Sequence, residues 1–503
     1  MRRKHVLKNI TVKKTEDENI SELPEEVSAE TAPDEESVSE ESDAPEVAPE
    51  VIEQEDDAPK ETLPPKEPKT PKPPKPPKPP KEPKPPKPPK PPKAPKETLP
   101  PKPPKPPKPP KPPKPRKTLA EKKEFSNAIV ALFFSVTAFT ALMIVRGSLF
   151  YFESFDFTHS LSVWVERYRE LTFIEGLGTK IGNYNQPYMY ILNIISRIDF
   201  PELYSIKIVS VIFDILLAYF VMKLVSLKTK SVHTLILAFF AAFAVPTVVL
   251  NSSMWGQCDS IYASFAVGAV YFGLRGHSKA AYAFIALAVS FKLQAAFILP
   301  LFAIFVFHKR IKLSDCYIFF VMFIAMLLPA YFAGFPPRDL LFMYLDQTDT
   351  YHYLKLNAVN MWQFVDNVDF DAFKTVGLYT AGVAALSLMY FAFIYRDKFR
   401  VNADYVRLAY LFAVILPFLL PQMHDRFFFM ADVFALTVFL FDKRRWFVPV
   451  VTVFCSFITY AWFLFEWITV FDYRLAALGL LSVIIVVLRD LVLSVRGELR
   501  GIS

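Results

Sequence analysis

Cysteine and glycine are scarce in this 503-residue chain, and aromatic residues are missing from its first quarter. Cys258, Cys316 and Cys455 stand alone, without the paired spacing of a disulfide framework or a structural metal site. That excludes a small secreted disulfide scaffold. Residues 1–124 contain no Phe, Tyr or Trp but hold most of the 44 prolines. From Glu16 to Asp57 there is no Lys or Arg, only Asp and Glu among Ser, Pro and Val. Such a stretch buries too little apolar area to offset the entropy of ordering it, so residues 1–59 read as an acidic disordered tail. Met1–Ile10 is basic with no apolar stretch behind it, so no signal peptide is expected. The net charge of +7 is the remainder of an acidic and a basic block that nearly cancel, and as a whole it points to no partner.

Residues 60–124 form a Lys/Pro-rich tract. From Lys66 to Lys117 a lysine recurs at every third position, except where Leu99 stands, and KETLPPK occurs at both Lys60–Lys66 and Lys96–Lys102. Polyproline II has about 3 residues per turn and a rise of ~3.1 Å, which sets the lysines ~9 Å apart along one edge. The tract therefore reads as a semi-rigid spacer on the order of 150 Å long when fully extended. A second reading makes it a cationic rail for an anionic partner, either lipid headgroups or the acidic segment before it. Nucleic acid is not expected, because no aromatics interleave the lysines for base stacking.

Residues 125–503 are of a different kind. They carry twelve apolar runs: Ser126–Val145, Leu203–Val225, Val232–Leu250, Asp259–Leu274, Ala280–Phe291, Leu293–Phe307, Cys316–Ala333, Phe373–Tyr395, Tyr405–Leu420, Phe427–Phe441, Trp446–Phe465 and Tyr473–Leu488. No soluble domain needs so many, and the expectation is an all-α polytopic membrane domain of about twelve transmembrane helices. Lys122/Lys123, Lys228/Lys230, Arg275/Lys279, Lys309/Arg310/Lys312, Arg396/Lys398/Arg400, Lys443/Arg444/Arg445 and Arg489/Arg496/Arg500 all fall on one side if the chain crosses twelve times with both termini cytoplasmic. One crossing through Ala280–Phe307 would break that pattern, so two short helices meeting near Lys292 are expected. The loops 151–202, 251–258, 335–371 and 421–426 then lie outside, and chemistry is expected on that face.

In the first outer loop, the apolar spacing of His159–Leu171 predicts an interfacial helix, and Tyr188–Ile198 a second segment too short to span. Asp156 lies just after the first run and reads either as a proton acceptor or as the N-cap of the helix that follows. NSSMWGQCDS brings Trp255, Gly256, Gln257 and Asp259 to a helix start, where Asp259 has the same capping alternative. The third loop holds Arg338, Asp346, Asp349, His352, Lys355, Asn357, Asn360 and Trp362; the Asp-x-Asp pair Asp369/Asp371 is of a kind common by chance. LPQMHDRFFF places His424, Asp425 and Arg426 at the mouth of a run. Lys292, at membrane depth, calls for an anionic ligand or an acidic partner. Lys207 and Asp214 share a helix face but stand ~10 Å apart along the axis, too far to pair.

The ordered set of GNYNQPYMYIL, NSSMWGQCDSIY, SFKLQAAFILP, NAVNMW and LPQMHDRFFF, behind an Asp-bearing first loop, resembles the bacterial polytopic mannosyltransferase-related proteins. These are akin to the eukaryotic enzyme that adds the second mannose of the GPI anchor, and belong to the GT-C class of glycosyltransferases. The resemblance spans about Asn127 to Val495. Family members commonly carry KPQ where this chain has Leu293 and MHER where it has Asp425. The resemblance implies transfer of a hexose, mannose by analogy, from a polyprenyl-phosphate donor to a lipid or glycan acceptor, with inversion in one displacement. It implies Asp156 as base, Lys292, His424 and Arg426 at the donor phosphate, and Asn183, Tyr184, Trp255, Gln257, Asp259, Asn357 and Asn360 around the substrate. No cofactor is required; outer carboxylates leave room for a divalent metal, but no ligand spacing demands one. The competing expectation is a multi-span transporter or flippase for a lipid-linked or small polar substrate, with Lys207 and Asp214 as its intramembrane charges.

Overall fold

The computed structural model describes residues 119–348, 352–366, 368–465 and 471–499. The expected acidic tail, the Lys/Pro tract up to Thr118, Asp349 and Arg500 lie outside those residues. The rest is helical, apart from one two-residue strand pairing. In chain order the helices are α1 (Leu119–Leu149), α2 (Ser162–Glu170), α3 (Phe173–Gly178), α4 (Gln186–Ile195), α5 (Glu202–Val225), α6 (Val232–Phe243), α7 (Pro246–Val249), α8 (Asp259–Leu274) and α9 (Ser278–Phe291). There follow α10 (Leu299–Phe307), α11 (Tyr317–Phe332), α12 (Pro337–Thr348), strand β1 (Lys355–Leu356), α13 (Phe370–Ile394), α14 (Asn402–Leu419), strand β2 (Met423–His424), α15 (Phe429–Phe441), α16 (Phe447–Phe465) and α17 (Tyr473–Arg496).

Among the described residues, seven helical stretches are long and apolar enough to cross a membrane: Ser126–Leu149, Glu202–Val225, Leu313–Phe332, Phe370–Ile394, Asn402–Leu419, Lys443–Phe465 and Tyr473–Arg496. Their outer surfaces are apolar; Phe133 on α1 and Tyr379 on α13 are more than 70% exposed, as lipid-facing side chains are. An eighth span is formed if α6 and the stretch Pro246–Trp255, bent by 54°, count as one. Pro246 causes that bend: it has no N–H to give and pushes Val245 out of the helical region. The other four expected runs are helices too short to cross alone, so length supports seven or eight crossings and not twelve. The reason is position. α8 and α15 are buried on nearly every side, α8 against α5 and α9, α15 against α14 and α16. Protein covers their ends, which removes the need to reach both membrane surfaces.

The expected break near Lys292 is present. Its backbone is extended (φ −154°, ψ 135°) and separates α9 from a 3₁₀ turn, Leu293–Ile298, that leads into α10. The first loop begins with a π turn over Phe157–Leu161 that runs on into α2, close to the expected His159–Leu171 helix. The second apolar stretch is α4, opened by Asn185 as N-cap and Pro187 in the first turn.

The central helices have chemically distinct ends. At the C-terminal ends, Lys228 donates to the carbonyl of Phe441, and Arg310 reaches the carbonyl of Leu274. Basic side chains there face backbone carbonyls, the favourable pairing for a helix C-terminus. At the N-terminal ends of α8 and α15 lie Asp259 and Arg426, with the loop that carries Asp156 beside them.

Candidate functional site

Asp156 occupies the N-cap position of the Phe157–Leu161 turn but makes no capping bond. Ser154 does that instead, its Oγ accepting from the Phe157 N–H (3.2 Å) and donating to the Trp255 carbonyl (2.8 Å). The capping alternative for Asp156 is therefore not realised, and its carboxylate is free to meet three donors on one oxygen. Trp255 Nε1 lies 2.8 Å from Oδ2, Gln257 Nε2 2.5 Å and Arg426 Nη1 3.3 Å. The Asp156 side chain remains 25% exposed.

Two π turns flank this carboxylate, Phe157–Leu161 after it and Leu250–Trp255 opposite it. Turns of this kind are rare and often mark functional sites. Gly256 ends the second in the left-handed region (φ 81°), which reverses the chain so that Trp255 and Gln257 both reach Asp156. Trp255 is wedged between a stacked Phe463 (4.4 Å) and the edge of Tyr460 (5.1 Å), with the Arg426 guanidinium 5.1 Å over its face.

Asp259 is the first residue of α8, and it too is more than a cap. It forms a buried ion pair with Lys292 and accepts from Asn251 Nδ2 at 2.7 Å. Arg426 Nε stands 3.9 Å from its second oxygen, and Arg426 Nη1 lies 3.8 Å from Asp425. One guanidinium thus faces three carboxylates. Tyr184 donates to Gln257 Oε1 (3.1 Å), and its ring lies 5.5 Å from Lys292 Nζ.

β1 and β2 pair in parallel, Lys355 opposite Met423 and Leu356 opposite His424, which ties the segment between α12 and α13 to the one between α14 and α15. Asn357 bridges to His424; it and Gln422 hold left-handed backbones (φ 64° and 59°) on either side of the pairing. Non-glycine residues in that region are held there by their surroundings. Burial, then Arg426 and Lys292, push the His424 imidazole down to about 3. At neutral pH it is an uncharged ring, a hydrogen-bonding group and not a third cation beside Lys292 and Arg426.

Of the expected residues, Asp156, Tyr184, Trp255, Gln257, Asp259, Lys292 and Arg426 converge, with His424 and Asn357 on the adjoining strand. Asn183 is exposed, its carbonyl taken by Gln347. Asn360 is a structural cap: its Oδ1 accepts from the Trp362 N–H (3.1 Å). Asp369 caps α13, accepting from the Ala372 N–H (2.8 Å). Asn251 also belongs to the cluster, as does Asp425, which the sequence places at the mouth of a run but to which the resemblance assigns no role. Their only signal was adjacency, Asn251 at the head of NSSMWGQCDS and Asp425 inside MHDR. Among the described residues no three His, Cys, Asp or Glu stand together as a metal-ligand set. The cation between the carboxylates is Arg426.

No family model matches the chain, and no curated protein matches it either.

Chemically, the cluster offers a part-exposed carboxylate to accept a proton and two cations to meet an anion. Asp425 adds a titration. Burial raises its carboxyl to about 7, outweighing the pull of Arg426, and the Asp156 charge adds to the rise. The native state then keeps a proton that the unfolded chain releases near pH 4, so this residue subtracts stability as pH climbs from about 4 towards 7. Thermal melts from pH 5 to pH 8 should fall more steeply for the wild type than for D425N; parallel profiles would show that Asp425 does not titrate in this range.

Proposed function

We propose that the protein is a GT-C-type glycosyltransferase that moves a hexose, mannose by resemblance, from a polyprenyl-phosphate donor to a lipid or glycan acceptor outside the cytoplasm. In this reading the twelve apolar helical runs make twelve crossings, the short ones sheltered in the bundle, with both termini cytoplasmic. The observation that carries it is the Asp156 carboxylate, part-exposed and fixed by Trp255, Gln257 and Arg426, beside the Lys292–Asp259 pair.

The step is a single inverting displacement. The acceptor hydroxyl attacks the anomeric carbon as its proton passes to Asp156, and the bond from that carbon to the phosphate oxygen breaks with its electron pair leaving on the phosphate. Arg426 and Lys292 meet the growing phosphate charge in a site where little water screens it, and His424 offers a neutral contact. Tyr184, Trp255 and Gln257 hold the base and wall the sugar pocket. A lipid-linked donor needs no nucleotide pocket, since its chain stays in the bilayer.

The transporter reading needs Lys207 or Asp214 free to meet a substrate. Both are fully buried and engaged. Lys207 donates to the carbonyls of Phe150 and Phe152, and Asp214 pairs with Arg146 at 3.0 Å.

Purified protein given polyprenyl-phosphate sugars and a membrane extract should transfer sugar, and D156N should lose about 10²–10⁴-fold in rate while staying folded. Ordinary transfer by folded D156N removes Asp156 as base; substrate flux in vesicles that survives D156N and is lost in D214N that still melts like the wild type favours a transporter. For sidedness, an impermeant thiol reagent on intact cells should label F155C, at a residue that is 61% exposed, and spare R444C. The reverse pattern places the site in the cytoplasm.

A further inference from the structure

The charges buried inside the bundle are a puzzle for a helix as apolar as α5. Lys207, Ser210 and Asp214 lie on one face at i, i+3 and i+7, about 10 Å from end to end, and all three are fully or almost fully buried. Burying ions is costly, and an apolar replacement is often as stable or more so. Stability alone is a poor reason for them to be there.

What they touch is more telling. Lys207 donates to the carbonyls of Phe150 (3.0 Å) and Phe152 (2.5 Å), in the short segment running from α1 to Asp156. One turn on, Ser210 donates to the carbonyl of Gln257 (2.8 Å). One further turn on, Asp214 accepts from Ser252 (2.6 Å) and from Ser260, which bracket Trp255, Gln257 and Asp259. Ser154 joins the two held segments through the Trp255 carbonyl. Every one of these contacts falls within eight residues of a member of the site. Arg146 completes the set from the last turn of α1. It pairs with Asp214, donates to the Phe243 carbonyl (2.7 Å) where α6 breaks off before Pro246, and lies 3.8 Å over the Phe243 ring.

We propose that Lys207, Ser210 and Asp214, with Arg146 as the counter-ion, form a positioning frame that sets the distance from Trp255 and Gln257 to the Asp156 carboxylate. The proposal rests on the reading of Asp156 as base. None of the four touches substrate. Asp214 holds both ends of the turn that supplies the two donors, Lys207 holds the segment that supplies the carboxylate, and the rigid helix between them fixes their separation. A displacement of about 1 Å in such a geometry can cost on the order of 10² in rate.

Removing Asp214 alone would strand Arg146 and threaten folding, so the test is the charge-free pair R146M/D214L, with S210A as a milder second variant. Three quantities are read: thermal midpoint, kcat and KM for sugar transfer, and the ¹⁹F resonance of Trp255 in protein labelled with 5-fluorotryptophan, assigned by its loss in W255F. The frame predicts a double variant that melts within a few degrees of the wild type. Its kcat should fall at least about tenfold with KM within about twofold, and its Trp255 resonance should move towards its position in D156N. S210A should shift both in the same direction by less. A well-folded double variant with wild-type kcat and an unmoved resonance overturns the proposal, and if the double variant does not fold, an unmoved resonance and unchanged kcat in S210A do so. If the wild type transfers no sugar, the resonance alone decides: movement upholds the frame while the base reading falls, and no movement sinks both.

Discussion

A guanidinium enclosed by carboxylates is the constraint on which this bundle turns. Arg426 comes from the short connection between α14 and α15, yet it faces Asp156 from the segment after α1, Asp259 from the start of α8 and Asp425 beside it. Coulomb attraction among such groups, weak in water, is several-fold stronger where protein excludes solvent. Leaving one partner out strands a charge at a cost of about 3–5 kcal/mol. The loops cannot drift apart cheaply, and elements far separated in sequence meet at one end of the bundle because of it.

The short helices follow from the same demand. α8 and α15 begin where Asp259 and Arg426 must stand, at helix N-termini near the cluster, and they can be short because α5, α9, α14 and α16 cover them. Their opposite ends carry Lys228 and Arg310 against backbone carbonyls. The bundle therefore separates a basic end, where cations meet backbone carbonyls, from an end where charges of both signs are confined together.

Much of this was legible in the residues. Apolar runs located the helices, most of them to within a few positions, and the basic turns on both sides of Ala280–Phe307 required an interruption that Lys292 supplies, whereas the break at Pro246 lay inside a run read as continuous, Val232–Leu250. Motif strings brought out seven of the residues that converge. Other features were not legible, for identifiable reasons. Run length alone could not separate a span from a sheltered helix, so twelve runs became seven helices long enough to cross, or eight with the bent pair. Asn360 and Asp369 are hydrogen-bonding side chains in loops, and nothing local distinguishes a cap from a ligand. Asp156 looked as much like a cap as a base until Ser154, two residues earlier, took the capping bond. Nothing local to Arg146 shows its role, since its partner Asp214 lies 68 residues on.

The pairing of Asp156 with Arg426, across 270 residues of sequence, is the contact that most directly decides this account. A double-mutant cycle on thermal stability in detergent, using D156N, R426Q and the double variant, measures it. The account predicts a coupling of about 1–3 kcal/mol, the double variant being much less destabilised than the two single changes summed. Additive effects, within about 0.5 kcal/mol, would mean that the two side chains do not meet.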